Sequence, residues 1–268
     1  MSSSTLLAID GDSFAHRAYH SMPKSIRHNA IVGFTNMLTG LYGQEQPNAV
    51  LVAWDTLEVP TYRHEAFEPY QSGRVFDDAL LDQLALLPQL CEAFGFAIGK
   101  APGYEADDFL AAAAATWPGP VLVATSDRDA FQLVSDRVTI LQPVRGVSEI
   151  ARIGVPEVRE RYGVDPEQVP DLIALRGDPS DKLPGARGIG PKKAAELLGQ
   201  YRTLEEALAA GRFAAEAEDL RLYRRIAQMD ASAPLPLLAD QTPTWAEASS
   251  FLRQLGLDAS ARRVDSLA

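Results

Sequence analysis

Three carboxylates fall within four residues in Gly103-Tyr104-Glu105-Ala106-Asp107-Asp108, directly ahead of the small-residue run Phe109 to Thr116, which reads as a helix. Acids crowded this way repel one another, and the usual relief is protonation or a bound cation. With no Cys or His among them, the chemistry they suit is that of a hard, oxygen-seeking divalent ion such as Mg²⁺ or Mn²⁺. The plain alternative is a helix start dressed with acids to suit its dipole, each worth about a few tenths of a kcal/mol.

Other acids stand at places that a core does not require. Leu6 to Ile9 is a short apolar run ending in Asp10; Asn48 to Trp54 repeats the pattern and ends in Asp55; Pro120 to Ser126 ends in Asp127, with Asp129 two residues on. Each reads as a buried parallel strand. Ligands of open α/β sheets bind outside the carboxyl ends of the strands, so these termini should converge on one crevice. Asp178 and Asp181, in Gly177-Asp-Pro-Ser-Asp181, add two acids on a turn, where side-chain capping of the backbone is the simpler account of either alone. The candidate metal ligands are therefore Asp10, Asp55, Glu105, Asp107, Asp108, Asp127, Asp129, Asp178 and Asp181.

The elements that must position them follow a βαβ rhythm. Helical stretches at Ile31 to Leu41, Asp77 to Phe94 and Ala106 to Thr116 alternate with the strands, and Val138 to Leu141 looks like one more strand. The fold class is thus α/β, a mainly parallel central sheet flanked by helices, over residues 1–155. Pro60 to Arg74 has no clear period and carries Arg63, His64, Tyr70 and Arg74, so a basic loop over the crevice is expected. From 156 to 268 the texture changes to short helices punctuated by Pro and Gly, which predicts a smaller helical domain with a C-terminal extension of unassigned role. It contains Gly185-Ala-Arg-Gly188-Ile-Gly190-Pro-Lys192-Lys193, in a hairpin placed at about 184–198. Glycines there let backbone approach a phosphate at a helix start, with lysine help, whereas Pro191 disfavours a nucleotide-triphosphate loop.

Composition sets limits. The single cysteine, Cys91, excludes an internal disulfide framework and a cysteine-based zinc site. A start of Met-Ser-Ser-Ser-Thr leading into a strand, and no long apolar span, predict a soluble, cytoplasmic protein without a membrane partner. The net charge of −11 argues against a nucleic-acid partner at first sight, but setting nine of the 36 acids aside leaves 27 against 25 bases. Outside the proposed site the chain is near neutral, and basic patches can still hold a phosphate backbone.

Taken together these residues resemble the 5′ nucleases, that is, flap endonucleases and the 5′→3′ exonuclease domain of bacterial DNA polymerase I. The resemblance runs from Leu6 to about Met229. It is carried by Gly103-Tyr-Glu-Ala-Asp-Asp108, Thr125-Ser-Asp-Arg-Asp129, Gly177-Asp-Pro-Ser-Asp181 and Gly188-Ile-Gly190-Pro-Lys192 in the family's order and spacing. It implies a PIN-like nuclease domain, two Mg²⁺ or Mn²⁺ ions and a structure-specific cleavage of DNA phosphodiesters in replication or repair. Asp10, Asp55, Glu105, Asp107 and Asp108 would serve the first ion, and Asp127, Asp129, Asp178 and Asp181 the second.

The resemblance also makes Arg17, Arg63 and Arg74 phosphate contacts, with Arg63 and Arg74 among the catalytic residues. It makes Gly188, Gly190, Lys192 and Lys193 part of a helix-hairpin-helix variant that grips duplex DNA, with K⁺ at its carbonyls. DNA with 5′ ends, flaps, nicks or junctions is the implied partner, a polymerase and a ligase the functional neighbours, and a stand-alone, nucleoid-associated monomer the implied form. One departure stands out: the family's Tyr-Lys-x-x-Arg reads Tyr70-Gln71-Ser-Gly-Arg74, so the lysine expected at the scissile phosphate is Gln71. Two other readings stay open. A non-catalytic DNA-structure binder would tolerate Gln71. A haloacid-dehalogenase-like phosphatase would use Asp10-Gly-Asp12, and Asp12→Asn separates it from a nuclease. A smaller metal-dependent ribonuclease fits less well because of the hairpin.

Overall fold

The computed structural model describes residues 4–145 and 149–268. Six strands form one sheet in the order β3-β2-β1-β4-β5-β6, from β1 (Leu6–Asp10), β2 (Ala49–Ala53), β3 (Ala97–Gly99), β4 (Val121–Ala124), β5 (Val138–Arg145) and β6 (Glu149–Ile153). Neighbours pair in parallel except β6, which runs antiparallel to β5 at the edge. The apolar runs are central because every residue of β1, β2 and β4 is buried, as a parallel sheet covered on both faces requires.

Alternating side chains feed two cores. Leu6, Ala8, Leu51, Val121 and Val123 face α6 (Ala106–Thr116) and the helical part of the chain. Leu7, Ile9, Val50, Val52 and Leu122 face α1 (Gly11–Ser21), α2 (Asn29–Glu45), α4 (Asp78–Leu84) and α5 (Leu87–Ala93), with Cys91 buried among them. The short α3 (Tyr62–Ala66) follows β2 and packs against α11 (Ala217–Ala227). The helix expected over Asp77 to Phe94 is two helices, α4 and α5, because Pro88 has no N–H to donate back and forces a break at Ala85-Leu86. Helix α1, not anticipated, begins immediately after β1. Gly11 makes that possible, since a Cβ there would stand 2.7 Å from the Ala53 carbonyl oxygen and from the Trp54 ring.

The helical part comprises α7 (Val155–Tyr162), α8 (Val169–Arg176), α9 (Pro191–Tyr201), α10 (Leu204–Ala209) and α11 (Ala217–Ala227), sharing one core with the sheet through Val169, Leu172, Leu198 and Leu220. The last helices, α12 (Trp245–Gln254) and α13 (Asp258–Asp265), do not extend that part. Ala248, Leu252, Leu257, Ala261 and Val264 return to the second sheet face. The returning strand of chain is pinned by Gln241, whose N–H donates to the Asn48 carbonyl at 2.7 Å and whose Oε1 accepts from Val50 N–H at 3.1 Å. Among the described residues no helix is long and apolar enough to cross a membrane.

Candidate active site

The sheet register decides which acids meet. Asp10 ends β1 opposite Ala53 of β2, and Ile9 lies opposite Ala124 of β4, so Asp10, Asp55 and Asp127 leave neighbouring strands at one level. A cleft of ≈ 670 Å³ opens there, lined by Asp10, Asp55, Glu105, Asp107, Asp127, Asp129, Asp178 and Asp181. Eight of the nine candidate acids share it.

Most are held by backbone and hydroxyl donors. Asp10 caps α1, accepting Ser13 N–H at 2.9 Å with one oxygen and the Thr125 hydroxyl at 2.7 Å with the other. Asp55 accepts the N–H of Ala106 at 2.8 Å, tying β2's end to the start of α6. Glu105 accepts from Thr61 Oγ1 and from Tyr70 Oη, each at 2.9 Å. Asp127 accepts Asp129 N–H at 2.8 Å. Across the cleft, Asp178 accepts Ser180 N–H at 2.8 Å and the Ser180 hydroxyl, while Asp181 receives Gln71 Nε2 at 3.2 Å and Arg74 Nη2 at 3.3 Å. The loop carrying these two is closed by backbone bonds between Asp178 and Leu183. Glycine is needed at both its ends: Gly177 and Gly185 have φ of +77° and +73°, and a Cβ at Gly185 would lie 2.4 Å from Gly177 N.

Asp108 is the ninth acid and stands elsewhere. It is fully buried, one helical step round from Asp107, and grips Arg63 in a fork at 2.9 and 2.7 Å while accepting the N–H groups of Glu105 and Asp230 at 3.1 and 2.8 Å. Its oxygens are spent, so the metal role expected for it gives way to a bracing one. Arg63 is likewise committed. Its Nε donates to the Ile226 carbonyl at 3.0 Å and its remaining nitrogens go to Asp108 and Glu105, so the phosphate contact expected of it meets a guanidinium with no free nitrogen. Arg17 lies off the cleft lining and donates to the Val144 carbonyl at 2.7 Å. Arg74 does line the cleft, with its side chain 42% exposed.

Electrostatically the cleft is an acid trap. Burial raises the Asp10 carboxyl to about 7, against the hydrogen bonds of Ser13 and Thr125. Burial pushes Asp181 up to about 6, with Asp178 adding to the rise. Asp55, Glu105 and Asp127 are raised, and Asp107 and Asp129 well above the ordinary range, in each case by burial first and by neighbouring acids second or later. Such groups hold protons until a cation displaces them. Among the described residues no group of three or more His, Cys, Asp or Glu side chains is arranged to hold an ion by itself.

The hairpin sits apart from this lining. Gly188 and Gly190 have open space where a Cβ would be, Gly190 precedes α9, and Lys193 Nζ reaches back to the Gly188 carbonyl at 3.3 Å, with Lys192 exposed beside it. Open backbone at a helix start with lysines is what a phosphate requires.

Sequence reasoning missed several residues of the cleft: Asp12, Ser13, His16, Tyr70 in its hydrogen-bonding role, Tyr162 and Arg176. Asp12, considered only as a phosphatase feature, accepts the N–H of Asp55 at 2.7 Å. The repeat of Asp10, Ser13 and His16 at helical spacing was the signal available for α1.

Residues 5–163 match the family described as 5′-3′ exonuclease, N-terminal resolvase-like domain, and residues 164–249 match 5′-3′ exonuclease, C-terminal SAM fold. DNA polymerase I of Mycobacterium tuberculosis (strain ATCC 25618 / H37Rv) is 40% identical over 211 residues, covering 75% of this chain and 23% of that protein. DNA polymerase I of Bacillus caldotenax is 42% identical over 214 residues, covering 76% and 24%. The chain thus spans about a quarter of the length of these relatives. Among solved structures, the bacteriophage T5 5′-exonuclease with divalent zinc bound superposes with a TM-score of 0.72 at 18% identity over 98% of both chains. Human GEN1 in complex with Holliday junction DNA gives 0.65 at 14% identity, covering 98% of this chain and 71% of that one.

Proposed function

The chain belongs to the 5′-3′ exonuclease family, and from that premise we propose that it is a divalent-metal-dependent, structure-specific 5′ nuclease that hydrolyses DNA phosphodiesters at 5′ ends, flaps or nicks. One observation carries the reading: eight of the nine candidate acids, from five separate stretches of sequence, line one cleft at the carboxyl ends of parallel strands.

In this reading Asp10, Asp55, Glu105 and Asp107 hold one ion, and Asp127, Asp129, Asp178 and Asp181 a second. Mg²⁺ or Mn²⁺ held there would polarise the attacking water and offset charge on the attacking and leaving oxygens. The chain's own residues do the rest. Thr125, Ser13 and Tyr70 fix the carboxylates in place, and the Arg63–Asp108 brace keeps α6 and α11 together behind them. Arg74 places positive charge at the mouth, where it reaches the backbone of the strand to be cut. Gly188, Gly190, Lys192 and Lys193 take the duplex by its phosphates, with K⁺ at the hairpin carbonyls as part of the same assignment. Selection by shape and free 5′ ends rather than by base sequence is part of the same reading. The chain works as a monomer, alongside a DNA polymerase and a ligase; the names of its relatives support the polymerase link.

The test is incubation of the purified protein with 5′-labelled flap, nicked-duplex and single-stranded DNA in Mg²⁺, Mn²⁺ or chelator. Cleavage that requires the ion and prefers a 5′ structure is the expected result. Binding without ion-dependent cleavage on every substrate leaves the non-catalytic binder instead.

A further inference from the structure

A nuclease cleft this acidic needs a cation of its own to receive a phosphate, and the residue best placed in sequence for that, Gln71, is neutral. Among the described residues four arginines line the cleft. Arg63 is spent on Asp108, Glu105 and a carbonyl; Arg74 leans on Asp181 with its side chain half in solvent; Arg128 is exposed.

Arg176 differs from all three. It ends α8, immediately before the Gly177 turn that carries Asp178 and Asp181, and its side chain is only 19% exposed. Its guanidinium carbon stands 5.3 Å from the centroid of the Tyr162 ring, and that ring packs on Phe131 at 5.5 Å. Tyr162 therefore holds the guanidinium from one side. Its Nε is buried with no hydrogen-bond partner, and its nearest acid, Asp178, is at 3.9 Å, beyond hydrogen-bond reach. A buried, unsatisfied N–H of this kind costs about 1–3 kcal/mol, a cost removed when an acceptor arrives. A planar guanidinium already held in orientation loses little freedom on meeting the paired oxygens of a phosphate.

We propose that Arg176, held by Tyr162, is a second phosphate-binding residue of the cleft beside Arg74: it takes a backbone phosphate of the bound DNA on the Asp129–Asp178 side and supplies the charge that Gln71 does not. The assignment rests on the nuclease reading above.

The experiment uses the full chain, single-turnover cleavage of a 5′-labelled flap at saturating Mg²⁺, and Arg176→Ala, Arg176→Lys and Tyr162→Leu variants. Arg176→Ala should slow the saturated rate about 100-fold. Arg176→Lys, which keeps charge but loses the fork, and Tyr162→Leu, which frees it, should fall between the wild type and Arg176→Ala. A set of flaps each carrying one uncharged methylphosphonate should contain a position that slows the wild type but slows Arg176→Ala no further. An unchanged saturated rate together with a lower Mg²⁺ requirement overturns the proposal, because Arg176 then only balances the acids. A lower melting temperature with an unchanged rate per folded molecule overturns it too, as does a methylphosphonate set with no such position. If the wild type cleaves nothing, the nuclease reading fails separately, and DNA affinity by fluorescence anisotropy in Ca²⁺ still decides about Arg176. Its loss should reduce the slope of log Kd against log salt by about 0.9, one phosphate contact; an unchanged slope rejects it.

Discussion

The two walls of the cleft are built differently. On one, Asp10, Asp55 and Asp127 leave the ends of adjacent strands, and their oxygens are fixed by N–H and hydroxyl groups of the same framework. On the other, Asp178 and Asp181 ride on a loop of nine residues closed by two glycines, and Asp181 is steadied mainly by Gln71 and Arg74, which arrive from a separate, exposed turn. The first wall is rigid because a parallel sheet is. The second is held by longer bonds, 3.2 and 3.3 Å, from side chains of a distant turn, which makes it the more adjustable half.

Substitutions can break or sharpen this contrast. The largest effect is expected on the rigid wall. Asp10→Asn keeps the cap on α1 but removes the charge, and should lower the single-turnover rate by about 10³-fold or more, with the melting temperature little changed. Asp108→Asn should act in the opposite manner. Leaving Arg63 buried with half its partner gone costs about 3–5 kcal/mol of stability, read by denaturant unfolding, while activity per folded molecule holds up far better than in Asp10→Asn. An Asp108→Asn protein of normal stability and no activity would return that residue to the metal site.

On the adjustable wall, Asp181→Asn should raise the half-saturating Mg²⁺ concentration by about 10–100-fold rather than abolish cleavage. Gln71→Lys keeps a donor toward Tyr70 and Asp181 and adds charge, so the single-turnover rate should rise several-fold, in the range of about 1 kcal/mol; an unchanged or lower rate rejects this account of the departure.

The smallest effect is on stability against pH. Asp10 and Asp181, raised to about 7 and about 6, bind more protons folded than unfolded above the ordinary value of 3.8. Their contribution is fully present below that value and is lost as pH rises through 6 and 7. In chelator, the melting temperature should therefore fall by a few degrees from pH 5 to pH 8, and added Mg²⁺ should raise it more at pH 8 than at pH 5, by scanning fluorimetry. Equal gains at both values would show that these carboxyls are already ionised.

Much of this was legible in the sequence, for definable reasons. Buried parallel strands are continuous apolar runs, so an Asp at the end of three of them stands out, and the sheet brings the three together as expected. What was hidden depends on rotation and on distant partners. Asp107 and Asp108 are adjacent letters, yet on a helix they point about 100° apart, one to the cleft and one to Arg63. That Arg63 is saturated depends on Ile226, far along the chain. Arg176 shows no spacing that marks it; only the Tyr162 ring beneath it and its empty Nε do. Helix α1 went unseen because the acid that ends the strand is also the cap that starts the helix.

The return of the last two helices to the sheet has a mechanical consequence. The hairpin-bearing helices are entered from β6 and left through a segment anchored on β2, so they are clamped at both ends rather than hung from a single joint. On the nuclease reading proposed above, a duplex taken at Gly188 and Gly190 would thereby be presented at a set reach from the acids, a built-in ruler for where a strand would be cut.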